Sequence, residues 1–307
     1  MEIKGKILVT GRHGFLGRFL VKKLLEKGIP ESSIFTPRSH ELDLRIFKNC
    51  LAAVEGKDLV IHAAAVTGGS EFHRNNPGKI FYDNLMMGVQ LMEASRVAGV
   101  KKFVSLGSVT EYPENAPLPL SEASLWQGPL ESLHAPYSFA KLISLVQGEA
   151  YRREYGFHAI HLILTNMYGP GFSGEKRYVI ESLITKIMDV KTKKENVLEV
   201  WGTGNAKREF LYAEDAAEGI VLAAEHYDEP DPLNIGTGKE ISIRDLVQRI
   251  SALLKFKGEI KWDTSKPDGI IRRVLDVSVA ERKLGFAAQT DINEGLRKTI
   301  EWYNSRI

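Results

Sequence analysis

The sequence predicts a doubly wound α/β protein, a mostly parallel sheet covered by helices, with a smaller and more irregular α+β region at its C-terminal end. Three observations carry that prediction. A short apolar strand at residues 6–10 runs directly into Gly11-Arg12-His13-Gly14-Phe15-Leu16-Gly17 and then an amphipathic helix to about Glu26 (Phe19, Leu20, Leu24, Leu25). Further apolar runs at 58–64, 102–106 and 161–164 alternate with helical patterns, the signature of parallel strands joined by crossover helices. Polar residues suited to chemistry follow the ends of these runs, where open parallel sheets place their ligands.

Composition bounds the function. The chain has 307 residues, a formal net charge of +2, 43% hydrophobic and 26% charged residues, values ordinary for a globular protein. Near-neutral charge argues against nucleic acid as a partner, and the basic run at Lys191-Thr192-Lys193-Lys194 is short and flanked by acidic residues. No apolar run reaches 18 residues, so no membrane span is expected. The single cysteine, Cys50, sits in a helical pattern (Ile46, Phe47, Leu51, Val54) and reads as a small core residue. No disulfide within the chain and no metal site are expected, and the compartment reads as cytoplasmic.

Taken in order, the glycine turn comes first. Strand, glycine turn and helix together form the context in which such a turn binds a dinucleotide. The glycines allow the tight turn and close backbone approach, and the helix N-terminus faces the pyrophosphate. Gly11, Arg12, Gly14, Phe15, Leu16 and Gly17 are therefore candidate cofactor contacts in a Rossmann-type domain. The second strand, near 33–36, ends in Pro37-Arg38-Ser39 rather than in the acidic residue that accepts from an NAD ribose hydroxyl. Arg38 with Arg12 suits the 2′-phosphate of NADP(H). The strand at 58–64 ends in Ala63-Ala64-Ala65, small enough for a cofactor to lie against. His62 reads as a packed strand residue. A helix follows from about 80 to 98, then the strand at 102–106.

Ser108 stands just beyond that strand, and Tyr137 and Lys141 lie four residues apart on one face of a helix. A phenol of pKa about 10 is a poor acid–base at neutral pH, and a nearby ammonium lowers it. Ser108 would donate to a substrate carbonyl while accepting from Tyr137. Together the three form a set for carbonyl reduction or alcohol oxidation. The second half carries a strand at 161–164, Asn166-Met167-Tyr168-Gly169-Pro170, a helix from about Val179, a strand at 198–201, the stretch from Gly202 to Leu211, Asn234-Ile235-Gly236-Thr237-Gly238 and a helix at 242–254. Residues 1–165 are assigned to an NADP-binding domain. Residues 166–307 are assigned mainly to substrate, with some segments returning to the sheet.

The Gly-x-x-Gly-x-x-Gly spacing with the Ser108, Tyr137, Lys141 set resembles the extended short-chain dehydrogenase/reductases, the NAD-dependent epimerase/dehydratase family. Gln127-Gly128-Pro129-Leu130-Glu131, Pro136-Tyr137, Asn166 to Pro170, Trp201-Gly202-Thr203-Gly204, Arg208-Glu209-Phe210-Leu211 and Lys266-Pro267-Asp268-Gly269 are similar to its GDP-L-fucose synthase branch. The resemblance implies catalytic Ser108, Tyr137 and Lys141, and adenine contacts at Asp43 and Leu44. It implies a GDP-sugar held by Asn166, Val179, Trp201 and Arg208, and a homodimer through the helices near 80–98 and 137–155. Leu142, Leu145 and Val146 would supply that interface or the core, and Trp201 could equally be core.

The chain departs from the branch at two positions. The branch epimerises C3 and C5 with a cysteine and a histidine, and Thr110 and Tyr178 stand there instead. This implies 4-keto reduction of a nucleotide-linked 4-keto-(6-deoxy)hexose without the usual epimerisation groups. The alternatives are a bifunctional fucose synthase in which Glu111, Glu175 or Tyr178 substitutes, and a UDP-sugar 4-epimerase with retained NAD, against which Arg38 argues. A 4,6-dehydratase is disfavoured by Val109-Thr110, and a non-catalytic NADP-sensing protein by the intact catalytic set.

Overall fold

Short strands and longer helices alternate through the first half as the sequence predicts. In chain order the elements are β1 (Ile7–Thr10), α1 (Phe15–Glu26), β2 (Ile34–Phe35), α2 (Phe47–Val54), β3 (Leu59–His62), α3 (Ser70–Asn75), α4 (Pro77–Val97), β4 (Lys102–Ser108), α5 (Ala135–Tyr155) and β5 (Ala159–Leu164). There follow β6 (Asn166–Tyr168), α6 (Val179–Thr192), β7 (Val197–Trp201), β8 (Lys207–Tyr212), α7 (Ala213–His226), β9 (Leu233–Ile235), β10 (Glu240–Ser242), α8 (Ile243–Leu253), β11 (Glu259–Asp263), β12 (Arg272–Arg273), α9 (Ser278–Leu284) and α10 (Ile292–Asn304). The computed structural model describes residues 3, 5–171 and 178–305.

Six strands form one sheet in the order β2–β1–β3–β4–β5–β9, every pair parallel. β1, β3 and β5 are buried at every position, which is why they read as unbroken apolar runs. Side chains alternate between faces. Ile7 and Val9 join Ile61 and Val104 under α1 and α7, while Leu8, Val60 and Phe103 face α2 and α4. The strand order reverses at β1, so the crevice between the carboxyl ends of β1 and β3 is the expected ligand position.

Several boundaries differ from the sequence reading. β3 ends at His62, because the backbone leaves the sheet at the three alanines. β4 runs on to Ser108, making that serine the last residue of a strand. α4 begins at Pro77, a residue preorganised for a first helical turn. Two elements of the central layer were not anticipated. α7 is built from small residues (AEDAAEGIVLAAEH) that show no bulky apolar stripe, yet it lies against α1 and the sheet. Its Gly219 is required there, since a Cβ would meet Ile235 Cγ2 at 2.8 Å and the Phe286 ring at 3.0 Å. β9, only three residues long, closes the sheet beside β5.

The remaining strands form a second unit over the carboxyl ends of the sheet. β8 is central, paired with β6, β10 and β12, while β7 pairs with β11. Buried Glu209 joins this unit to the loop after β9. Its Oε1 accepts from Thr237 N (2.5 Å) and Gly238 N (2.9 Å), and its Oε2 from Leu275 N (2.8 Å). A Cβ on Gly236 would lie 2.3 Å from the same carboxylate, so the Asn-Ile-Gly-Thr-Gly segment and the Arg-Glu-Phe-Leu segment are two halves of one joint. Asp268 does likewise for the Trp-Gly-Thr-Gly segment, accepting from Thr203 N (2.7 Å) and Thr203 Oγ1 (2.6 Å). On α5, Leu142 and Leu145 are core, whereas Phe139, Ile143 and Val146 are exposed.

Candidate active site

The glycine turn forms a cradle with no room for side chains. Gly11 has φ +76°, and a Cβ there would lie 2.7 Å from Ala64 N. A Cβ on Gly17 would lie 2.1 Å from Gly11 O. Gly14 donates to Gly11 O at 2.9 Å and caps α1 with no side-chain hydrogen bond, leaving backbone N–H groups at the helix start. This bare helix N-terminus at the strand-order reversal fits the pyrophosphate of a dinucleotide.

Around the cradle, Thr10 Oγ1 accepts from Ala64 N at 3.1 Å and lies 2.9 Å from His62 Nδ1. Burial, with Lys141 nearby, pushes His62 down to about 3, so it is a neutral, packed strand residue. Arg38 is exposed, and Arg12 lies 3.8 Å from Glu31. The Asp43 carboxylate is already taken. Arg45 bonds it through Nε (2.9 Å) and Nη2 (2.6 Å) and holds it down to about 2. Leu44 is buried, and its carbonyl accepts from Cys50 Sγ at 3.1 Å. Burial raises that thiol to about 12 and keeps it inert.

Ser108 ends β4 and caps the short turn Val109–Glu111. Tyr137 lies in the first turn of α5, and Lys141 Nζ sits 5.9 Å from its ring centroid. Burial brings Lys141 down to about 8, opposed by the charge of Glu111. The lowered tyrosine pKa expected from the sequence is not what the geometry gives. Burial of the phenol, then Tyr178 and Glu111, push Tyr137 above its ordinary value. Tyr137 therefore rests as the neutral phenol, the form that can give up a proton. Nor does Ser108 hydrogen-bond Tyr137 among the described residues: Ser108 Oγ accepts from Thr110 Oγ1 at 3.0 Å.

Thr110 is fixed on both sides, since Ser138 Oγ lies 3.0 Å from its hydroxyl and donates to its carbonyl at 2.8 Å. Glu111, considered as a substitute base, is equally committed. Its Oε1 accepts from Ser108 N (2.7 Å), its Oε2 pairs with His161 Nε2 (2.8 Å), and His161 Nδ1 meets Ser105 Oγ (2.8 Å). A Cβ on Gly107 would lie 2.4 Å from His161 Nε2, so this buried chain fixes a glycine in the strand. Glu175 lies outside the described residues.

On the substrate side, Tyr178 caps α6, its hydroxyl 3.5 Å from Thr67 Oγ1, and burial raises its pKa. Asn166 donates to Glu209 O at 3.0 Å. Val179 is 41% exposed at the start of α6. Trp201 is 62% exposed and not core, with Lys186 and Lys266 ammonium groups 5.6 and 5.7 Å from its ring. Arg208 is half-buried, with Nη2 3.4 Å from Asp268 O.

Sequence reasoning missed three groups here. Arg273 is 7% exposed with Nη2 unbonded, and burial brings it down to about 10 with Arg208 adding repulsion. His73 meets the Tyr137 ring edge-on at 5.6 Å and the His134 ring at 4.8 Å. His134 in turn pairs with Glu131 at 2.6 Å. Only the quoted Leu-Glu segment and the Arg272-Arg273 pair could have signalled them, and neither spacing matches a known site pattern.

Residues 7–236 match the NAD dependent epimerase/dehydratase family. The chain is 35% identical over 310 residues to a GDP-L-fucose synthase of Sinorhizobium fredii, covering 98% of this chain and 96% of that protein. Among solved structures it is similar to a GDP-6-OMe-4-keto-L-xylo-heptose reductase from C. jejuni, with TM-score 0.91, 27% identity and coverage of 100% and 99% of the two chains. It is also similar to a GDP-mannoheptose C4 reductase from Campylobacter jejuni with NADP bound, with TM-score 0.88, 27% identity and 99% of each chain covered.

Proposed function

The chain belongs to the NAD dependent epimerase/dehydratase family, and from that premise we propose that it is an NADPH-dependent reductase of a nucleotide-linked 4-keto-hexose, GDP-linked, that works at C4 and leaves C3 and C5 uninverted. The observation that carries this reading is the half-buried Tyr137 with Lys141 Nζ 5.9 Å from its ring, on the helix whose Ser138 holds a Thr110 hydroxyl already committed to Ser108. The GDP-sugar relatives support the substrate class, and the NADP-bound relative supports the cofactor.

The glycine cradle would hold the cofactor's pyrophosphate and Arg12 with Arg38 its 2′-phosphate. NADPH, when bound, supplies the hydride that reduces the carbonyl carbon. Tyr137 gives its proton to the oxygen on which charge develops, and Ser108 donates a hydrogen bond to that same oxygen. Lys141, buried and close to the phenol, stabilises the tyrosinate left behind. Arg208 and Arg273 take the diphosphate, since guanidinium forks match its oxygens. Inversion at C3 or C5 requires one group to remove a carbon-bound proton and another to return one from the opposite face. Threonine is a weak base, and Tyr178 with its raised pKa is a weaker acid than free tyrosine.

Exposed Phe81 and Tyr82 on α4 and Phe139, Ile143 and Val146 on α5 support a homodimer through these two helices. The buried thiol of Cys50 suits a reducing compartment such as the cytoplasm. The test is NADPH oxidation with GDP-4-keto-6-deoxymannose, with NADH as control. NADPH-dependent turnover is expected. Failure of NADPH turnover with both this sugar and its UDP-linked counterpart would overturn the reading.

A further inference from the structure

A histidine–carboxylate pair stands on the sugar side of the cleft, and the reduction as described does not use it. His134 immediately precedes α5, three residues ahead of Tyr137. Its Nδ1 lies 2.6 Å from Glu131 Oε2, and the two side chains are 20% and 19% exposed. The hydrogen bond to His134, more than any other influence, holds Glu131 below the usual carboxylate range. An ionised carboxylate can only accept, so Nδ1 carries the proton toward Glu131, and Nε2 is the ring nitrogen left for another partner. At one end of the pair Glu131 lies 4.0 Å from Arg273. At the other the His134 ring meets His73, which meets Tyr137. The pair thus stands between the buried arginines and the catalytic phenol.

Resting on the function proposed above, a nucleotide hexose spans those two ends, its C1 diphosphate at the arginines and its C4 oxygen at Tyr137. Between C1 and C4 a pyranose has two edges. One is the ring oxygen and C5. The other is C2 and C3, each bearing a hydroxyl. A half-buried imidazole, oriented by a carboxylate, complements the hydroxyl edge. We infer that His134, held by Glu131, hydrogen-bonds the C2 or C3 hydroxyl through Nε2 and so determines which sugars the site takes. It is a positioning residue: one base on one side of the ring cannot invert a carbon without a donor on the other.

The test compares GDP-4-keto-6-deoxymannose with its 2-deoxy and 3-deoxy analogues in NADPH oxidation. The wild-type protein should prefer the hydroxylated sugar over one of the analogues by about 10-fold in kcat/KM, the scale of one lost hydrogen bond. His134→Leu should erase that preference, bringing the ratio of kcat/KM between the hydroxylated sugar and the analogue to about 1, and His134→Asn should restore part of it. A preference that survives intact in His134→Leu overturns the inference. Should His134→Leu fail to fold, Glu131→Leu, which removes the acceptor that orients the ring, must shrink the preference, and an unchanged ratio there overturns it equally. Wild-type protein that turns over none of the three sugars overturns the reductase reading and this inference with it. Wild-type turnover without any preference overturns the inference alone.

Discussion

The corner that handles the carbonyl and the rim that faces the sugar use the same kinds of polar side chain and treat them in opposite ways. In the corner nearly every polar atom is committed: Ser108 to Thr110, Thr110 to Ser138, Glu111 to His161 and Ser105, Thr10 to His62. At the rim, some buried groups are left short of hydrogen bonds. Among the described residues, Arg273 Nη2 makes no hydrogen bond, and neither carboxylate oxygen of Glu181, in the first turn of α6, has a well-formed one. A satisfied network fixes geometry, which hydride transfer requires. A buried polar atom without a partner costs about 1–3 kcal/mol and marks a position that pairs only with something else. Rigidity is therefore concentrated at the reaction, while Arg273 keeps unmet hydrogen-bonding capacity on the other side of Glu131.

The first way to break this contrast is at the corner. Tyr137→Phe removes the group proposed to protonate the C4 oxygen. The expected loss is on the order of 10³-fold in kcat, within the range for a general acid, with little change in KM for NADPH. A loss below about 10-fold in steady-state kinetics would mean that another donor serves the oxygen.

The next effect concerns stability at the rim. Burial raises Glu181 to about 7, against an ordinary 4.5. Because the folded pKa is raised, the group favours the fold fully below its unfolded value, and that contribution is lost as pH climbs through about 7. By linkage the loss amounts to about 3 kcal/mol at most. Glu181→Gln should therefore raise stability at pH 8.5 and change it little at pH 5, as read by denaturant unfolding at the two values. An equal effect at both would mean that the carboxyl is hydrogen-bonded after all.

A smaller effect is expected for Arg273→Met, which keeps the side chain's bulk but removes its charge. One charge-assisted hydrogen bond to the diphosphate accounts for about 1.5–3 kcal/mol, or roughly a 10- to 100-fold rise in KM for the sugar nucleotide with kcat nearly kept. An equal fall in kcat would place Arg273 in the corner rather than the rim.

The same contrast explains what the sequence made legible. Strand-end positions and fixed spacings survive as patterns, so the glycine turn, Ser108 and the Tyr137–Lys141 pair could be read directly. The committed state of Thr110 and Glu111 could not, because each bond joins residues whose proximity the fold creates. Glu111 and His161 are 50 positions apart. The direction of the Tyr137 shift differs for a related reason: spacing reports the ammonium four residues on but not the burial that raises the phenol. α7 escaped because small residues carry little periodic signal, although close helix packing needs them. His73, His134 and Arg273 were overlooked because a single histidine or arginine becomes a site only through its neighbours.

The central claim is that this site reduces C4 and leaves the carbons beside it untouched. The most direct measurement runs the reaction in D2O with NADPH and GDP-4-keto-6-deoxymannose and assigns the product by NMR. The account predicts a C4 alcohol that retains protium and configuration at C3 and C5. Deuterium at either carbon, or inversion there, would contradict it.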